Sequence, residues 1–347
     1  MRVKVVVLLL ALLPVWANAQ GFNGLGNTSD GFALPDRDTR LTFPADHGPH
    51  PGFRIEWWYV TANLVGPDGT DYGAQWTLFR NAVAPDDADG WRSPVIWMAH
   101  AAVTTPDDHE SAERFARGGI GQAGVEIAPF NAWIDDWSMQ GASFDDLRIT
   151  AQGDDFSYEL DLTAEGPLTL HGDASYSQKS IAGHASHYYS QPFFSVTGTL
   201  EIEGERIPVT GSAWLDREWS SQLLDDDQAG WDWISLSFET GERMMGFRIR
   251  GSEGIDPTRG SWISAEGDVE NLSPGTLIMD PLETTVTAGG PVPTRWRIRL
   301  PDRDIDVTAD AINPQSWMDT TVSYWEGPMR VSGSHKGRGY LEMTGYD

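Results

Sequence analysis

Short runs of alternating apolar and polar residues recur along this chain of 347 residues, and they limit its possible folds more than any other feature. Each run is rich in aromatic and β-branched residues and is bounded by Gly, Pro, Asn or Asp, which is typical of β-strands. No long pattern of helical periodicity competes with them. The sequence therefore predicts an all-β protein, either a barrel or a sandwich. The runs are Phe53–Val60, Tyr72–Arg80, Val95–Thr104, Phe156–Leu162, Val196–Glu203, Ile207–Trp214, Trp231–Glu239, Met244–Arg250, Arg295–Leu300 and Val331–Ser334.

The N-terminus has the pattern of a secretory signal. Arg2 and Lys4 precede an apolar run, Val5–Val15, and small residues at Ala17 and Ala19 form a cleavage site. The apolar run is too short for a stable membrane span, and no later segment is long and apolar enough. We therefore expect a protein that is secreted or periplasmic, is cleaved near Ala19 and does not span the membrane once mature.

The charge balance and the absence of cysteine exclude several classes of function. The chain has 51 Asp and Glu against 24 Lys and Arg, and loss of the two signal bases would leave 22, a formal charge of −29. Such a surface repels nucleic acid and anionic headgroups, so we expect no nucleic-acid partner. Without cysteine there are no disulfides, thiol catalysis or zinc–thiolate sites, and the fold must be held by its core.

A hairpin signal organises the middle of the chain. Gly204-Glu205 separates two alternating runs, so the strand that ends at Trp214 should pair with the one before it. If that strand continues, alternation places Trp214, Asp216 and Glu218 on one face. We expect a signal peptide at residues 1–19, a flexible leader at 20–40, and two β domains at 41–200 and 201–347.

Three segments resemble one family. They are "FPADHGPHPGFRIEWWYVTANL" (Phe43–Leu64), "GSAWLDREWSSQLLDDDQAGWDWISLSF" (Gly211–Phe238) and "YWEGPMRVSG…GRGYLEMTGY" (Tyr324–Tyr346). They are similar to the AttH-like secreted lipocalin-related proteins, often labelled predicted secreted hydrolases, in a superfamily with carotenoid 1,2-hydratase and lipocalin-like Diels–Alderases. The resemblance implies two lipocalin-like antiparallel β-barrel domains packed side by side, with a ligand cavity where they meet.

The same resemblance implies catalytic residues. In the carotenoid hydratase branch, a His is followed two residues later by an aromatic, and a second aromatic is followed two residues later by an Asp. The matching pairs are His187 with Tyr189, and Trp214 with Asp216, although the two aromatics are exchanged relative to that pattern. Asp216 would be the acid, because burial favours the protonated form of a carboxyl group, and His187 would handle the water. The faces of Tyr189 and Trp214 would stabilise a carbocation.

A structural interpretation of the same motif stays open, because Asp216, Arg217 and Glu218 also fit an ion pair that ties a strand end to a loop. Lipocalin-type barrels commonly close one end with a Trp and an Arg, so Arg54 and Glu56 fit a structural lock. Further expected ligand-pocket residues are His100, Gln75, Thr77, Tyr188 and Trp233.

No cofactor or metal is predicted. His184-x-x-His187 and His47-x-x-His50 have spacings that metals use, but neither lies in a helical pattern or has a companion motif. The chain has no phosphate loop, no dinucleotide fingerprint and no G-x-S-x-G elbow, so no nucleophile supports the hydrolase label.

Two functions remain open at this point. In one, the protein binds an elongated apolar molecule of isoprenoid, polyketide or lipid-like type, and acts on it as a hydratase or cyclase. Aromatic-lined cavities suit such ligands. In the other, it is a non-catalytic lipid or solute-binding accessory of an ABC export system.

Overall fold

The computed structural model describes residues 29–85, 88–180, 183–222, 224, 228–251, 254–255 and 257–346. The predicted signal peptide and residues 20–28 of the predicted leader lie outside the described residues. Apart from three short 3₁₀ turns, at Ala45–His47, Gly90–Arg92 and Pro301–Arg303, the regular structure of these residues is β. None of the described segments forms a helix of the length and apolarity needed to cross a membrane.

The first sheet has 13 strands, in the order β4-β3-β2-β1-β13-β12-β9-β8-β7-β6-β5, with β10 and β11 also paired to β12. All pairs are antiparallel, and β6 packs across the interior against β2, β3 and β4, so the sheet curls into a near-closed barrel. Its strands are β1 Ile55–Val65, β2 Asp71–Ala82, β3 Val95–Thr104, β4 His109–Arg117, β5 Ala123–Glu126, β6 Phe130–Ile134, β7 Trp137–Ser143, β8 Asp146–Gln152, β9 Phe156–Ala164, β10 Thr169–Leu170, β11 Tyr176–Gln178, β12 Ala185–Ile202 and β13 Glu205–Ser220.

The second sheet has 11 strands, in the order β18-β17-β15-β14-β24-β23-β21-β20-β19, with β16 paired to β15 and β22 to β23. It curls around a core of its own that includes Trp296, Trp325 and Leu341. Its strands are β14 Gln228–Phe238, β15 Arg243–Gly251, β16 Gly254–Ile255, β17 Arg259–Ile263, β18 Val269–Asn271, β19 Ile278–Thr287, β20 Gly290–Leu300, β21 Ile305–Ala311, β22 Trp317–Met318, β23 Tyr324–Gly333 and β24 Gly337–Thr344.

The all-β prediction is confirmed, with the described strands forming two curled antiparallel sheets. The predicted hairpin forms with Glu203 and Gly204 as its two turn residues, both with positive φ, which fits the right-handed twist of the strands. Strand β13 then runs on past Trp214 and pairs with β1 as well as β12. The first sheet ends with β13 at Ser220, and the second begins with β14 at Gln228. The domain bounds expected near residue 200 stay a prediction.

The two sheets pack face to face. In β1, Trp58, Val60 and Ala62 point into the first barrel, whereas the alternate residues face the second sheet. Two apolar clusters include side chains from both sheets, one joining Tyr59 and Tyr188 to Trp233 and Phe247, the other joining Phe79 to Tyr324. Parts of β1–β3, β12 and β13 therefore bury the face that points away from the first core against the second sheet.

A buried charged cluster closes the barrel end where β1 begins and β13 ends. The Glu56 carboxylate accepts from the Arg217 Nη2 at 3.2 Å and lies 3.3 Å from the Arg80 Nη1 and 3.1 Å from the His50 Nδ1. The Arg217 guanidinium sits 3.8 Å above the Trp58 ring. Burial raises the pKa of Glu56, but the hydrogen bond from His50 and the charges of Arg217 and Arg80 outweigh it and lower that pKa to about 2. The lock expected at Glu56 is thus built with Arg217.

Candidate functional site

A cavity lies between the two sheets. It encloses about 790 Å³ of space free of protein atoms, part of it open to solvent. Its walls are mainly aromatic and come from both sheets, with Trp57, Tyr59 and Tyr188 on one side and Trp231, Trp233 and Phe247 on the other. A concave, apolar site with a few convergent polar groups is the usual form of a small-molecule site.

Asp216 is one of two carboxyl groups that the first sheet places at this cavity, the other being Glu218. Its Oδ2 accepts a hydrogen bond from the Tyr188 hydroxyl at 2.7 Å, and its Oδ1 accepts from the Trp214 Nε1 at 2.6 Å and from the Ser190 hydroxyl. Burial raises the pKa of Asp216 to about 7, although the hydrogen bonds from Ser190, Tyr188 and Trp214 oppose that rise. No cation pairs with it in the described structure, so the clamp interpretation does not apply to Asp216.

Glu342, on β24, brings a carboxyl group to the same cavity from the second sheet. Its Oε1 accepts from the Trp231 Nε1 at 2.6 Å. Burial raises the pKa of Glu342 to about 7, the hydrogen bond from Trp231 opposes the rise, and the charge of Asp216 adds to it. Near neutral pH, two such groups place a proton donor and a proton acceptor in one apolar space.

An ion pair lies beside Asp216. Glu218 follows it on the same face of β13, and its Oε1 lies 2.6 Å from the Lys179 Nζ. The ammonium group of Lys179 also stands 4.5 Å from the ring centres of Tyr188 and Phe247. The pair therefore holds a positive charge against the aromatic wall that separates this cavity from its surroundings, consistent with a structural role for Glu218.

A further carboxyl group is buried behind the wall formed by Tyr59. The Tyr59 hydroxyl donates to Oε1 of Glu326, a fully buried residue on β23. Burial raises the pKa of Glu326 well above its usual range, and the charge of Glu342 adds to that rise. Burial therefore favours the neutral form of Glu326.

The structure brings together five of the residues that the sequence nominated. Thr77, Tyr188 and Trp233 line the cavity with Asp216, and the Trp233 Nε1 donates to the Tyr188 hydroxyl at 3.1 Å. Trp214 does not line it but fixes the Asp216 carboxyl. The expected same-face arrangement of Trp214 and Asp216 on β13 is thus present.

His187 and Tyr189 are placed elsewhere, which corrects the expectation that they share a cavity with Asp216. The register of β12 against β13 sets Ser190 opposite Asp216 and His187 opposite Trp219. Because side chains alternate, the nominated pair points to the other face of the sheet. There the His187 ring packs on Trp219, and the Tyr189 hydroxyl bonds to the His47 Nδ1 at 2.7 Å. His187 therefore lies on the opposite face of the sheet from Asp216 and cannot contact a water molecule held at the Asp216 carboxyl group.

His100 and Gln75 face the second sheet without lining the cavity. The His100 Nδ1 bonds to the hydroxyl of Tyr324, a cavity residue, at 2.9 Å, and its Nε2 lies 3.1 Å from Glu113. Gln75 donates to the Thr77 hydroxyl. Both support the cavity wall from behind.

Sequence reasoning missed several residues of the site, namely His171, Lys179, Ser190, Glu326 and Glu342. Two signals were present in the sequence, since Glu326 and Glu342 are acids inside the apolar runs "YWEGPM" and "YLEMT". Buried acids in such runs are rare unless they are paired or functional. No group of three or more His, Asp or Glu side chains in the described part of the chain is arranged to hold a metal ion.

Two curled antiparallel sheets with an acid-bearing cavity between them define a two-barrel, lipocalin-like protein. The chain belongs to the AttH-like family, which it matches over residues 34–346. Comparison with curated proteins gives no match.

Solved structures share the fold. An AttH protein from Nitrosomonas europaea is similar over 91% of this chain and 100% of its own, with 34% identity and a TM-score of 0.82. Kievitone hydratase from Nectria haematococca is similar over 90% and 98%, with 14% identity and a TM-score of 0.69. CghA, in a structure with Sch210972, is similar over 92% and 97%, with 12% identity and a TM-score of 0.54. The last two likenesses concern the fold alone.

Proposed function

We propose that this protein binds an elongated, apolar, unsaturated molecule between its two sheets and adds water to one of its double bonds. The observation that carries this proposal is the pair of carboxyl groups, Asp216 and Glu342, each with a pKa raised to about 7 in one aromatic-walled cavity. Isoprenoid, polyketide and lipid-like alkenes suit such walls. Kievitone hydratase shares the fold, which is consistent with hydration chemistry in this architecture.

In the proposed reaction, Asp216 is the acid. Its Oδ1 accepts two hydrogen bonds and its Oδ2 one, so Oδ2 keeps a lone pair for the proton. The π electrons of the alkene take that proton and form a C–H bond, which leaves a cation on the neighbouring carbon. Donors from Tyr188, Trp214 and Ser190 stabilise the carboxylate as its charge develops, and this favours the transition state over the ground state.

Water then completes the reaction. The faces of the wall aromatics stabilise the cation through their quadrupoles until a water oxygen bonds to it. Glu342, as the carboxylate, takes the proton that this water loses, so the product is the alcohol and one water has been consumed. Glu342 replaces His187 in the role that the sequence had assigned to a water partner.

Farnesol, which carries isoprenoid double bonds, is a suitable first probe. We expect it to quench tryptophan fluorescence on binding and, in ¹⁸O-labelled water, to yield a labelled diol detectable by mass spectrometry. Asp216→Asn should bind farnesol normally and lower the hydration rate by roughly 10²-fold or more. Glu159→Gln, at an exposed ion pair, is the matched control.

If the wild type binds farnesol without hydrating it, and Asp216→Asn binds it equally well, the enzymatic function is rejected and a carrier function is favoured. The carrier could then serve an ABC export system, a partner that remains a proposal. Export of the protein is proposed on the same footing. N-terminal sequencing of the exported protein should begin at or near Gln20, and finding Met1 on a membrane-embedded product would contradict it.

A further inference from the structure

A chain of hydrogen bonds leads away from Asp216 on the side opposite to the ligand cavity. The Ser190 hydroxyl donates to the Asp216 Oδ1. The His171 Nε2 lies 2.7 Å from the Ser190 oxygen, and the His171 Nδ1 lies 3.0 Å from the hydroxyl of Ser261, on β17 of the second sheet. Ser261 in turn donates to the Oδ1 of Asn271 at 3.2 Å.

The inner members of this chain are buried and its outer end is exposed. Asp216, Ser190, His171 and Ser261 are almost inaccessible to solvent, whereas Asn271 is exposed. His171, Ser261 and Asn271 line a second, more polar cavity of about 820 Å³, part of it open solvent, between the sheets. The chain therefore connects a buried acid to a wet surface.

The two cavities are separated by an aromatic wall. Phe247 lines both of them, and Tyr188 lines the ligand cavity while the His171 ring packs on its other side, with the ring centres 4.3 Å apart. A ligand that fills the first cavity leaves the second one open.

Backbone contacts fix the geometry of the chain. The backbone N–H of His171 donates to the Tyr188 carbonyl at 3.1 Å. The side chain of Asn271 accepts from the backbone N–H of Gly172 at 2.9 Å and donates to its carbonyl at 2.6 Å. Burial, with the charge of Lys179 adding to it, lowers the pKa of His171 to about 3, so its imidazole is neutral and has one donor and one acceptor nitrogen. With Nε2 protonated and the Ser261 hydroxyl turned from Asn271 toward the His171 Nδ1, each link from Ser261 to Asp216 has a donor facing an acceptor.

We propose that Asp216 receives its proton from the second cavity through Ser261, His171 and Ser190, on a route separate from the ligand cavity. This inference rests on the proposed hydration, in which Asp216 gives up a proton in each cycle. After that step, the Asp216 Oδ1 takes the Ser190 hydroxyl proton, Ser190 takes the Nε2 proton of His171, and the Nδ1 takes the Ser261 hydroxyl proton. A half-turn of the Asp216 carboxyl group, which exchanges its two oxygens, then brings the proton to the Oδ2 position.

Ser261 then takes a proton from a water molecule in the second cavity, so that one proton has moved inward and a hydroxide is left in solvent. Glu342 releases to solvent the proton that it took from the attacking water, and this proton neutralises the hydroxide. A change of tautomer at His171 back to the Nε2-protonated form, with rotation of the Ser190 and Ser261 hydroxyls, resets the chain. His171 and Ser190 do not touch the substrate in this scheme, and their role is to deliver protons to Asp216.

The test follows proton exchange at Asp216 and needs no turnover. The infrared C=O band of protonated Asp216 is identified by its loss in Asp216→Asn. Its shift on rapid mixing with D₂O is then timed with the ligand cavity empty or saturated with hexahydrofarnesol, which has no double bond to hydrate. In the wild type, exchange should be equally fast in both states.

In His171→Phe, which keeps a ring against Tyr188, and in Ser261→Ala, exchange with the cavity saturated should be slower by roughly 10²-fold, the scale of a positioned proton donor. With the cavity empty, both variants should match the wild type. His335→Phe, outside the chain, is the control. If His171→Phe fails to fold, Ser261→Ala carries the test.

Equal exchange rates in wild type and variants with the cavity saturated would overturn the route, as would a wild type that hexahydrofarnesol slows. A failure of hydration with normal exchange behaviour would reject the proposed function alone.

Discussion

Replacing Glu56 by Gln tests whether the charged cluster at the barrel end stabilises the fold. The carboxylate is fully buried and pairs with Arg217 and Arg80, so the amide would leave two guanidinium groups without their counter-ion. The pKa of Glu56 falls from 4.5 to about 2 on folding, and each pKa unit corresponds to about 1.4 kcal/mol. We therefore expect Glu56→Gln to lower the free energy of unfolding by about 3 kcal/mol at pH 7.

The pH dependence of this loss follows from its origin. A folded pKa below the unfolded one contributes stability that is complete above the unfolded value and lost as the pH falls toward the folded value. The difference between wild type and Glu56→Gln should thus be constant from pH 7 to about pH 5.5. At pH 3 it should have shrunk to roughly 1 kcal/mol. The reason is that pH 3 lies below the unfolded pKa of Glu56, so most of the stability that its folded carboxylate contributes has been lost.

Urea unfolding followed by far-UV circular dichroism at pH 7, 5 and 3 measures this difference. Glu159→Gln, which breaks an exposed pair with Arg148, should change stability by no more than about 1 kcal/mol. A Glu56→Gln loss that is as large at pH 3 as at pH 7 would refute the electrostatic reasoning, since the packing of the amide does not titrate. A loss smaller than that of the control would refute it as well.

Three further outcomes are expected. Because the folded pKa of Asp216 lies above its unfolded value, the wild type should lose stability as the pH rises from about 4 to 7. Thermal melts should therefore show Asp216→Asn gaining stability relative to the wild type at pH 8 but not at pH 4, and a difference in melting temperature that does not change with pH would contradict the raised pKa. Trp231→Phe removes the hydrogen-bond donor to Glu342, so the pKa of Glu342 should rise further. An infrared titration of the Glu342 carboxyl band measures that pKa, and a lower value would contradict this expectation. Lys179→Met should lower the free energy of unfolding by about 3 kcal/mol because it leaves Glu218 unpaired. In urea unfolding, the double variant Lys179→Met/Glu218→Leu should recover most of that loss, and equal losses in the single and double variants would show that the unpaired carboxylate is not the cause.

The local part of the fold could be predicted from the sequence. Alternation gave the strand character, and it also placed Trp214, Asp216 and Glu218 on one face, because that requires only a period of two. The hairpin at Gly204 followed from turn chemistry. Each of these inferences depends on neighbours in the chain.

The composition of the site could not be predicted in the same way, because it depends on how strands pair across long distances. Strands β12 and β13 face each other in a register that sets Ser190, not His187, beside Asp216, and that register shifts between Gln191 and Phe194. A slip of one residue reverses every side chain, so alternation alone could not decide between these faces. Glu342 comes from the other sheet, and no local pattern relates it to Asp216.

Strand β13 carries two sets of residues in strict alternation. Arg217 and Trp219 stabilise the barrel, while Asp216 and Glu218 form the cavity wall on the opposite face. Single substitutions on the cavity side leave the barrel contacts in place, so descendants of this sequence can change ligand or chemistry one codon at a time. Loss or gain of a single codon between Trp214 and Trp219 would instead exchange the two sets, sending a guanidinium into the ligand space and a carboxyl group into the barrel. Insertions and deletions should therefore be confined to the loops of this protein's relatives and excluded from this strand.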